Sequence, residues 1–522
     1  MKLLYTLFLS FYGLAAFSFS LQTNPDTLLS VDDLHFSSEL EESMFDRVVN
    51  NEHDYFGLFE SLTPDISEKQ IESDRQQFFS LINVLRNEGI STKKPAKKIK
   101  LVYKAVHDNF FEKYELVNHF SDVFPNGYYN CVSATALYAL SFDLLDISYQ
   151  IKERPSHVYL IAYPEAERIK VEATDPTQGY MSFNEAYKKS FITNLQEHKL
   201  ISESESRGKS IDELFDKYYF VDQDISINDL VAIQYLNDGL YKMDNGEFLE
   251  AYYQFQKSYF LYPHERAGFL MYTSAASYLS KLDPRSVEYA RFIPEFSFFS
   301  KYGVTSSQLI GEFTTLSEIW LLMKSDTAEF SEIHGDFETL YSDSSYVSEV
   351  NYIYNYQMGV FFAKQGKTSL AYEYIARAFD INSANIQAQS LYIDLLNDKI
   401  SRQSSLEQGI KVLEESLEAH KSLIEVPNFT DMILGNYLQV AHKSFYENSA
   451  NKGLDFLRRF ELLHQKVNES NLNHNAIGIA FSSAAMYYFK RGYKSKAREQ
   501  IDRGLVISPN NQILMDRRRH LH

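Results

Sequence analysis

Cys131 is the only cysteine in the chain, and its setting suits a nucleophile. Phe124-Pro125-Asn126-Gly127 reads as a turn, and Asn130 follows as the N-cap of a helix whose inner face is Ala136, Leu137, Leu140 and Leu144. Cys131 then opens that helix, where unsatisfied N–H groups and the positive end of the helix dipole favour the reactive thiolate. Such a thiol needs a base, and the base needs an orienting partner. Val158 to Tyr163 and Ile169 to Ala173 are β-rich runs separated by the turn-like Pro164 to Arg168. Folded as a hairpin centred on Ala166, they bring His157 and Asp175 face to face, each nine residues from the centre. Opposed Cα atoms in an antiparallel pair lie about 4.5–5.5 Å apart, so the carboxylate reaches the imidazole. Cys131, His157 and Asp175 are therefore the candidate catalytic residues. His157 takes the thiol proton, Asp175 fixes the imidazole tautomer, and the thiolate attacks a carbonyl. The backbone N–H of Cys131 is one oxyanion donor. The side chains of Asn126, Tyr128 and Asn130 are candidates for further oxyanion or substrate contacts, with helix capping as the other role open to Asn130.

Other chemistries find less support. A metal site needs three or four ligands at recognisable spacing, and His107, His119, His157 and Cys131 show none. No glycine-rich phosphate loop or nucleotide fingerprint occurs, so no cofactor is expected. Ser133 lacks the Gly-x-Ser-x-Gly elbow of a serine hydrolase and reads as a helix residue. The competing account of Cys131 is an inert core thiol in a protein that only binds others.

The elements around these residues divide the chain of 522 residues into three parts. Lys2 followed by the apolar run Leu3 to Ala16, ending among small residues, reads as a secretory signal peptide over residues 1–20. This predicts an exported protein, periplasmic or extracellular, with no membrane span, because no later run approaches the roughly 20 apolar residues a spanning helix needs. A net charge of −19 without a basic block argues against nucleic acid as a partner. Residues 21–225 hold the candidate site: a polar lead, helical spacing through Ile99, Tyr103, Val106, Phe110 and Tyr114, the Cys131 helix, and a small sheet that also takes in Ile147 to Ile151.

From Ser226 to residue 522 the pattern is continuous helix, and an internal repeat emerges. A tetratricopeptide unit is a helical hairpin of about 34 residues with small side chains where its helices cross. Gly239, Ala251, Phe255, Ser258 and Pro263 match its key spacing, as do Ala485, Ala497, Ile501, Gly504 and Pro509. Gly359, Ala371, Ile375 and Ala378 match it too, with Ser383 in place of the proline. Helices such as Gly409 to His420 and Ala441 to His464 keep the rhythm with poorer consensus, and Phe292 to Phe299 and Ser342 to Ser348 read as irregular.

The runs Asn126-Gly127-Tyr128-Tyr129-Asn130-Cys131-Val132-Ser133, Pro155-Ser156-His157-Val158-Tyr159-Leu160 and Glu172-Ala173-Thr174-Asp175-Pro176-Thr177 together resemble the transglutaminase-like, papain-related cysteine family. Its members place the cysteine at a helix start, the histidine at the opening of a strand and an Asp-Pro at the close of another. His157 is followed by Val158-Tyr159 where many members have Ala-Trp, and three residues separate Gly127 from Cys131 where one is common. A related bacterial branch joins such a domain to tetratricopeptide repeats and often lacks the cysteine; Asp175-Pro176-Thr177-Gln178-Gly179 is similar to that branch.

The resemblance implies an α+β transglutaminase-like core followed by an all-α tetratricopeptide-type repeat domain. It implies a peptidase, amidase or transglutaminase-type enzyme acting on amide bonds of a protein or peptide substrate. Stacked hairpins are expected to hold a protein partner on a concave face. The alternative is a non-catalytic interaction scaffold with a degenerate front domain.

Overall fold

A computed structural model of the chain describes residues 29–154, 157–174, 179–181, 185–197, 201, 208–219, 222–467 and 473–520. The segment read as a signal peptide lies outside the described residues. Among those described, no helix is long and apolar enough to cross a membrane. The chain forms two compact units, one reaching Asp283 and including Phe298–Gly303, the other made of Pro284–Ser297 and Val304–His522.

The first unit opens with four helices: α1 (Glu39–Val49), α2 (Tyr55–Ser61), α3 (Glu68–Asn87) and α4 (Pro95–Phe110). Phe45, Phe59, Ile99 and Val106 from these helices are wholly buried, so the polar lead belongs to the core. The spacing that predicts helix as far as Tyr114 breaks at Phe110. Beyond it, β1 (Lys113–Tyr114) runs parallel to β2 (Tyr128–Tyr129), pairing Lys113 with Tyr128 and Tyr114 with Tyr129. The N–H groups of Glu112 and Glu115 donate to the carbonyls of Gly127 and Tyr129, so the ladder takes backbone that a longer helix would have used.

Helix α5 (Cys131–Leu144) follows, then β3 (Tyr149–Arg154), β4 (His157–Ala162), β5 (Ile169–Val171) and β6 (Tyr180–Met181). Helices α6 (Glu185–Glu197) and α7 (Ile211–Tyr219) lead to β7 (Gln223–Ile225). The five strands make an antiparallel sheet in the order β6-β5-β4-β3-β7. Val158, Leu160 and Val171 alternate into the core, while His157 and Tyr159 share the opposite face.

The change of texture at Ser226 is not where the compact units part. Helices α8 (Ile227–Asp244), α9 (Phe248–Leu261) and α10 (Glu265–Lys281) belong to the first unit. Gln234 of α8 donates to the Phe59 carbonyl at 2.9 Å and accepts from the Phe120 N–H at 3.2 Å. Lys257 of α9 forms a fully buried ion pair with Glu41 at 2.8 Å. Helical periodicity records that these segments are helices, and it carries no information about which neighbour they pack on.

The second unit is helical among its described residues: α11 (Val287–Phe292), α12 (Ser306–Ser317), α13 (Thr327–Glu338), α14 (Ser344–Lys364), α15 (Thr368–Ile381), α16 (Ile386–Ser401), α17 (Leu406–Ala419), α18 (Pro427–Tyr446), α19 (Ala450–His464), α20 (His474–Phe489), α21 (Lys494–Ile507) and α22 (Gln512–Arg519). A run of 3₁₀ turns over Ile293–Tyr302 accounts for the irregular pattern near Phe292. Asp343 caps α14 by accepting from the N–H groups of Ser345 and Tyr346, so the stretch near Ser342 is a helix start.

The hairpins α8/α9, α14/α15 and α20/α21 carry the three repeat matches, and their small residues lie where the helices cross. A Cβ on Gly239 would stand 2.6 Å from Phe255, and one on Gly359 would stand 2.5 Å from Ile375. Each hairpin turns through the left-handed region seven positions after its first small residue, at Gly246, Gly366 and Gly492, with φ of 79°, 73° and 83°. The α18/α19 hairpin does the same from Ala441 to Asn448, where φ is 61°. Asparagine tolerates that conformation better than most side chains, so the turn survives where the consensus is poor.

The crossing makes a stability prediction. Gly359→Val should destabilise the protein by ~1–3 kcal/mol through overpacking, whereas Gly435→Ala, where nothing beyond the adjoining residues and the local helix backbone lies within 4 Å of the added carbon, should stabilise α18 by ~0.5–1 kcal/mol. Thermal unfolding of the two variants checks both signs.

Candidate active site

Asn130 fixes the start of α5. Its side-chain oxygen accepts from the N–H groups of Val132 at 2.9 Å and Ser133 at 3.0 Å, and the Ser133 hydroxyl accepts from the Asn130 N–H at 2.9 Å. The Asn130 carbonyl takes the N–H of Ala134. Among the described residues these caps leave the Cys131 N–H unused at the head of the helix, where an oxyanion donor is needed. Cys131 itself is half-buried.

The helix also sets the distance from thiol to sheet. Thr135 donates its hydroxyl to the Val158 carbonyl at 3.3 Å, and Cys131 lies one turn back along α5, beside the next residue of β4, His157. His157 Nε2 pairs with Glu172 Oε1 at 2.7 Å, and Cys131 lies close enough to the imidazole to raise its pKa. With Nε2 held by the carboxylate, Nδ1 is the nitrogen left to exchange a proton with sulfur. The interaction with Cys131 first, and then the hydrogen bond to Glu172, push the His157 pKa up to about 9 against the opposing effect of burial. Burial raises Glu172, but the hydrogen bond and charge of His157 together with Lys170 outweigh it, so its carboxyl titrates below the ordinary value. Lys170 Nζ stands 3.2 Å from Glu172 Oε2, and the Thr174 hydroxyl donates to Oε1 at 3.3 Å.

The strand register explains why Glu172 fills this role. Leu160 pairs with Val171, Ile161 with Lys170 and Ala162 with Ile169. That alignment is one residue away from a hairpin centred on Ala166, and continued outward it sets Thr174 opposite His157. Glu172 then falls opposite Tyr159, on the His157 face and diagonal to it, within reach of a long side chain. Asp175 lies outside the described residues. Glu172 was legible only through the register, since strand alternation alone places it on either face.

Tyr159 backs this face of the sheet. Its wholly buried ring lies under Lys170 Nζ, 4.4 Å from the centroid, and its hydroxyl donates to Asp222 at 2.7 Å. Arg154 reaches the same carboxylate at 2.6 Å.

The three candidates for oxyanion or substrate contact part company. Asn130 spends its whole amide on structure: beyond the cap, its NH₂ donates to the carbonyls of Leu116 at 3.2 Å and Asn118 at 3.4 Å. Tyr128 is exposed and shares its side of the short ladder with Lys113, whose Nζ lies 5.5 Å from the ring centroid. Asn126 is exposed in the single helical turn Val123–Asn126, which Gly127 ends with φ of 67°.

Two phenols not anticipated from the sequence lie near the thiol. Burial, and then the charge at Cys131, raise both Tyr114 and Tyr241, the latter to about 12. Tyr241 belongs to α8, in a segment whose pattern reads as repeat helix, so no local signal connects it with Cys131. His119, weighed above as a metal ligand, instead pairs with Asp238 of α8 at 3.0 Å. Among the described residues no group of three or more His, Cys, Asp or Glu side chains is disposed to hold a metal ion.

No family model matches the chain, and no curated protein matches it. Two solved structures similar to it are the tetratricopeptide domain of P58(IPK) and the APC/C hetero-tetramer Cut9-Hcn1. The first covers 85% of this chain and 96% of its own at 11% identity, with a TM-score of 0.18. The second covers 92% of this chain and 89% of its own, also at 11% identity and a TM-score of 0.18. Overlays that loose carry no weight here. The class of the protein rests on its own hairpins and sheet: a mostly helical, tetratricopeptide-like repeat protein with a small N-terminal region containing a few strands.

The His157 geometry fixes a pH dependence. Because the folded pKa of about 9 exceeds the ordinary 6.5, the contribution of His157 to stability is complete below pH 6.5 and is lost as pH rises through 9. An NMR titration of isotope-labelled histidine should place His157 near 9 in the wild type and bring it down towards 6.5 in Glu172→Gln. A fall of the same size in Asp175→Asn, with none in Glu172→Gln, would return the orienting role to Asp175.

Proposed function

We propose that the chain is an exported, cysteine-dependent acyl-transfer enzyme of the transglutaminase-like, papain-related kind, acting on amide bonds of a protein or peptide. The observation that carries this reading is the imidazole of His157, paired with Glu172 at 2.7 Å and raised in pKa by Cys131 at the head of α5. A thiol, a base and an orienting acceptor brought together make up the apparatus of nucleophilic acyl transfer.

In the reaction, His157 Nδ1 takes the proton of Cys131 and the sulfur attacks the amide carbon. The carbonyl oxygen becomes an oxyanion facing the Cys131 N–H, while Glu172 stabilises the imidazolium through Nε2. The C–N bond then breaks, the imidazolium gives its proton to the departing amine, and a thioester remains on Cys131. Water, deprotonated by the same nitrogen, attacks the thioester and returns the thiol and a carboxylic acid. Water is the default acceptor, which makes hydrolysis the leading outcome; an amine in its place would give cross-linking.

The leader-like residues 1–20 support an exported enzyme, periplasmic or extracellular. The tetratricopeptide-like hairpins support a protein partner or substrate bound to the repeats. Those same hairpins favour a second reading, a scaffold that binds proteins and performs no chemistry.

An activated ester separates the two. With p-nitrophenyl acetate, wild-type protein should release p-nitrophenolate in a burst and carry a hydroxylamine-sensitive thioester at Cys131, detected by peptide mass spectrometry. Cys131→Ala should abolish the adduct, and His157→Ala should slow its formation by ~10²-fold or more. Absence of an adduct from the folded wild type would leave the scaffold reading standing.

A further inference from the structure

Leu116 and Val117 are unusual among the aliphatic side chains of the first unit. They are 63% and 65% exposed, yet the backbone that carries them is tightly held. The Leu116 carbonyl accepts from Asn130 Nδ2 at 3.2 Å and from the Tyr241 hydroxyl at 2.6 Å. Two residues further on, buried Asn118 donates to the Tyr128 carbonyl at 2.7 Å and accepts from the Ser133 hydroxyl at 3.2 Å. An ordinary surface loop has a mobile backbone and polar tips, whereas this one has a fixed backbone and apolar tips.

The ladder indicates where those tips stand. Lys113 pairs with Tyr128 and Tyr114 with Tyr129, the Glu115 N–H donates to the Tyr129 carbonyl, and the Leu116 carbonyl accepts from the side chain of Asn130, the residue before Cys131. Neighbouring strands lie about 4.8 Å apart, and alternate residues share a face. Tyr114 and Leu116 therefore lie on the Cys131 side. The partly exposed Tyr114 ring packs edge-on against Tyr129 at 5.8 Å, and its phenol senses the charge at Cys131. Lys113 and Glu115, on the other face, pair with one another. The surface next to the thiol is thus apolar and carries no unbalanced charge of its own ladder.

We propose that Tyr114 and Leu116 form a binding subsite for an apolar side chain of the acyl donor, next to the carbonyl that Cys131 attacks. This rests on the acyl-transfer reading and deepens it by naming the substrate class: peptides with an aliphatic or aromatic residue adjoining the reacting amide. A substrate carbonyl at the sulfur has its neighbouring residue about 3.5 Å further along an extended chain. The apolar tips then leave water only when the correct substrate arrives. The staple from Tyr241 holds them in place beforehand, so little ordering remains to be done on binding.

Peptidyl chloromethyl ketones that differ only in the residue adjoining the ketone test this, with alkylation of Cys131 followed by mass spectrometry. Each rate is divided by the iodoacetamide rate of the same protein, which reads the thiol alone. Leucyl and phenylalanyl probes should label the wild type at least ~10-fold faster than seryl or glutamyl probes, the discrimination expected of an apolar contact. In the Leu116→Asp variant that preference should disappear, and a lysyl probe should gain. The position is exposed, and circular dichroism verifies that the variant folds. Equal normalised rates for all probes, or an unchanged preference in the variant, would overturn the subsite while an activated thiol upholds acyl transfer. An iodoacetamide rate no faster in wild type than in His157→Ala would overturn the acyl-transfer reading, and the subsite with it.

Discussion

The Asn130 side chain is the constraint on which the candidate site depends. Its oxygen closes the first turn of α5 through Val132 and Ser133, and its nitrogen reaches across to the carbonyls of Leu116 and Asn118. One amide thereby fixes the helix that bears Cys131 and the loop that flanks it. It is almost completely buried, with 4% exposure, and each buried polar group left without a partner costs ~1–3 kcal/mol. The helix start, the unused N–H of Cys131 and the apolar tips of the loop therefore hold their relative positions as one piece.

The same unit joins front and repeat-like segments more closely than composition indicates. The ion pair between Lys257 of α9 and Glu41 of α1 is fully buried, and Lys257 titrates below its ordinary value because burial outweighs its attraction to Glu41. Glu41 is further satisfied by the N–H of Ser37 at 2.7 Å and its hydroxyl at 2.9 Å. A pair of this kind adds little net stability, but neither charge can stay buried without the other. It therefore ties the first helical hairpin to this particular partner. Tyr241 on that hairpin in turn holds the Leu116 carbonyl beside the site.

Local chemistry was readable from the sequence, and long-range register was not. Asn130 as a cap and Cys131 as the first helical residue follow from side-chain type and position. The strands beginning near His157 and Ile169 follow from β-rich composition. The repeat hairpins are legible through Gly239, Gly359 and Ala485, because the close crossing of two helices demands small residues at fixed spacing. The partner of His157 is another matter. A shift of one residue in the β4–β5 pairing turns every side chain of β5 to the other face, and the turn between Pro164 and Arg168 does not reveal which alignment it closes. Glu172, three positions before the expected Asp175, emerges from the paired strands alone. Tyr241 lies 110 residues beyond Cys131, on a helix whose period shows its apolar face and nothing about what that face meets.

The central claim is that His157 activates Cys131 within this frame. The most direct test is the rate at which iodoacetamide alkylates Cys131 in the folded protein at neutral pH, in the wild type and in His157→Ala. The account predicts a fast wild-type reaction that slows by ~10-fold or more when the imidazole is removed, since the thiol then loses its proton acceptor. A wild-type rate matching that of His157→Ala would contradict it, and would make Cys131 a structural thiol in a protein whose work is done by its repeats.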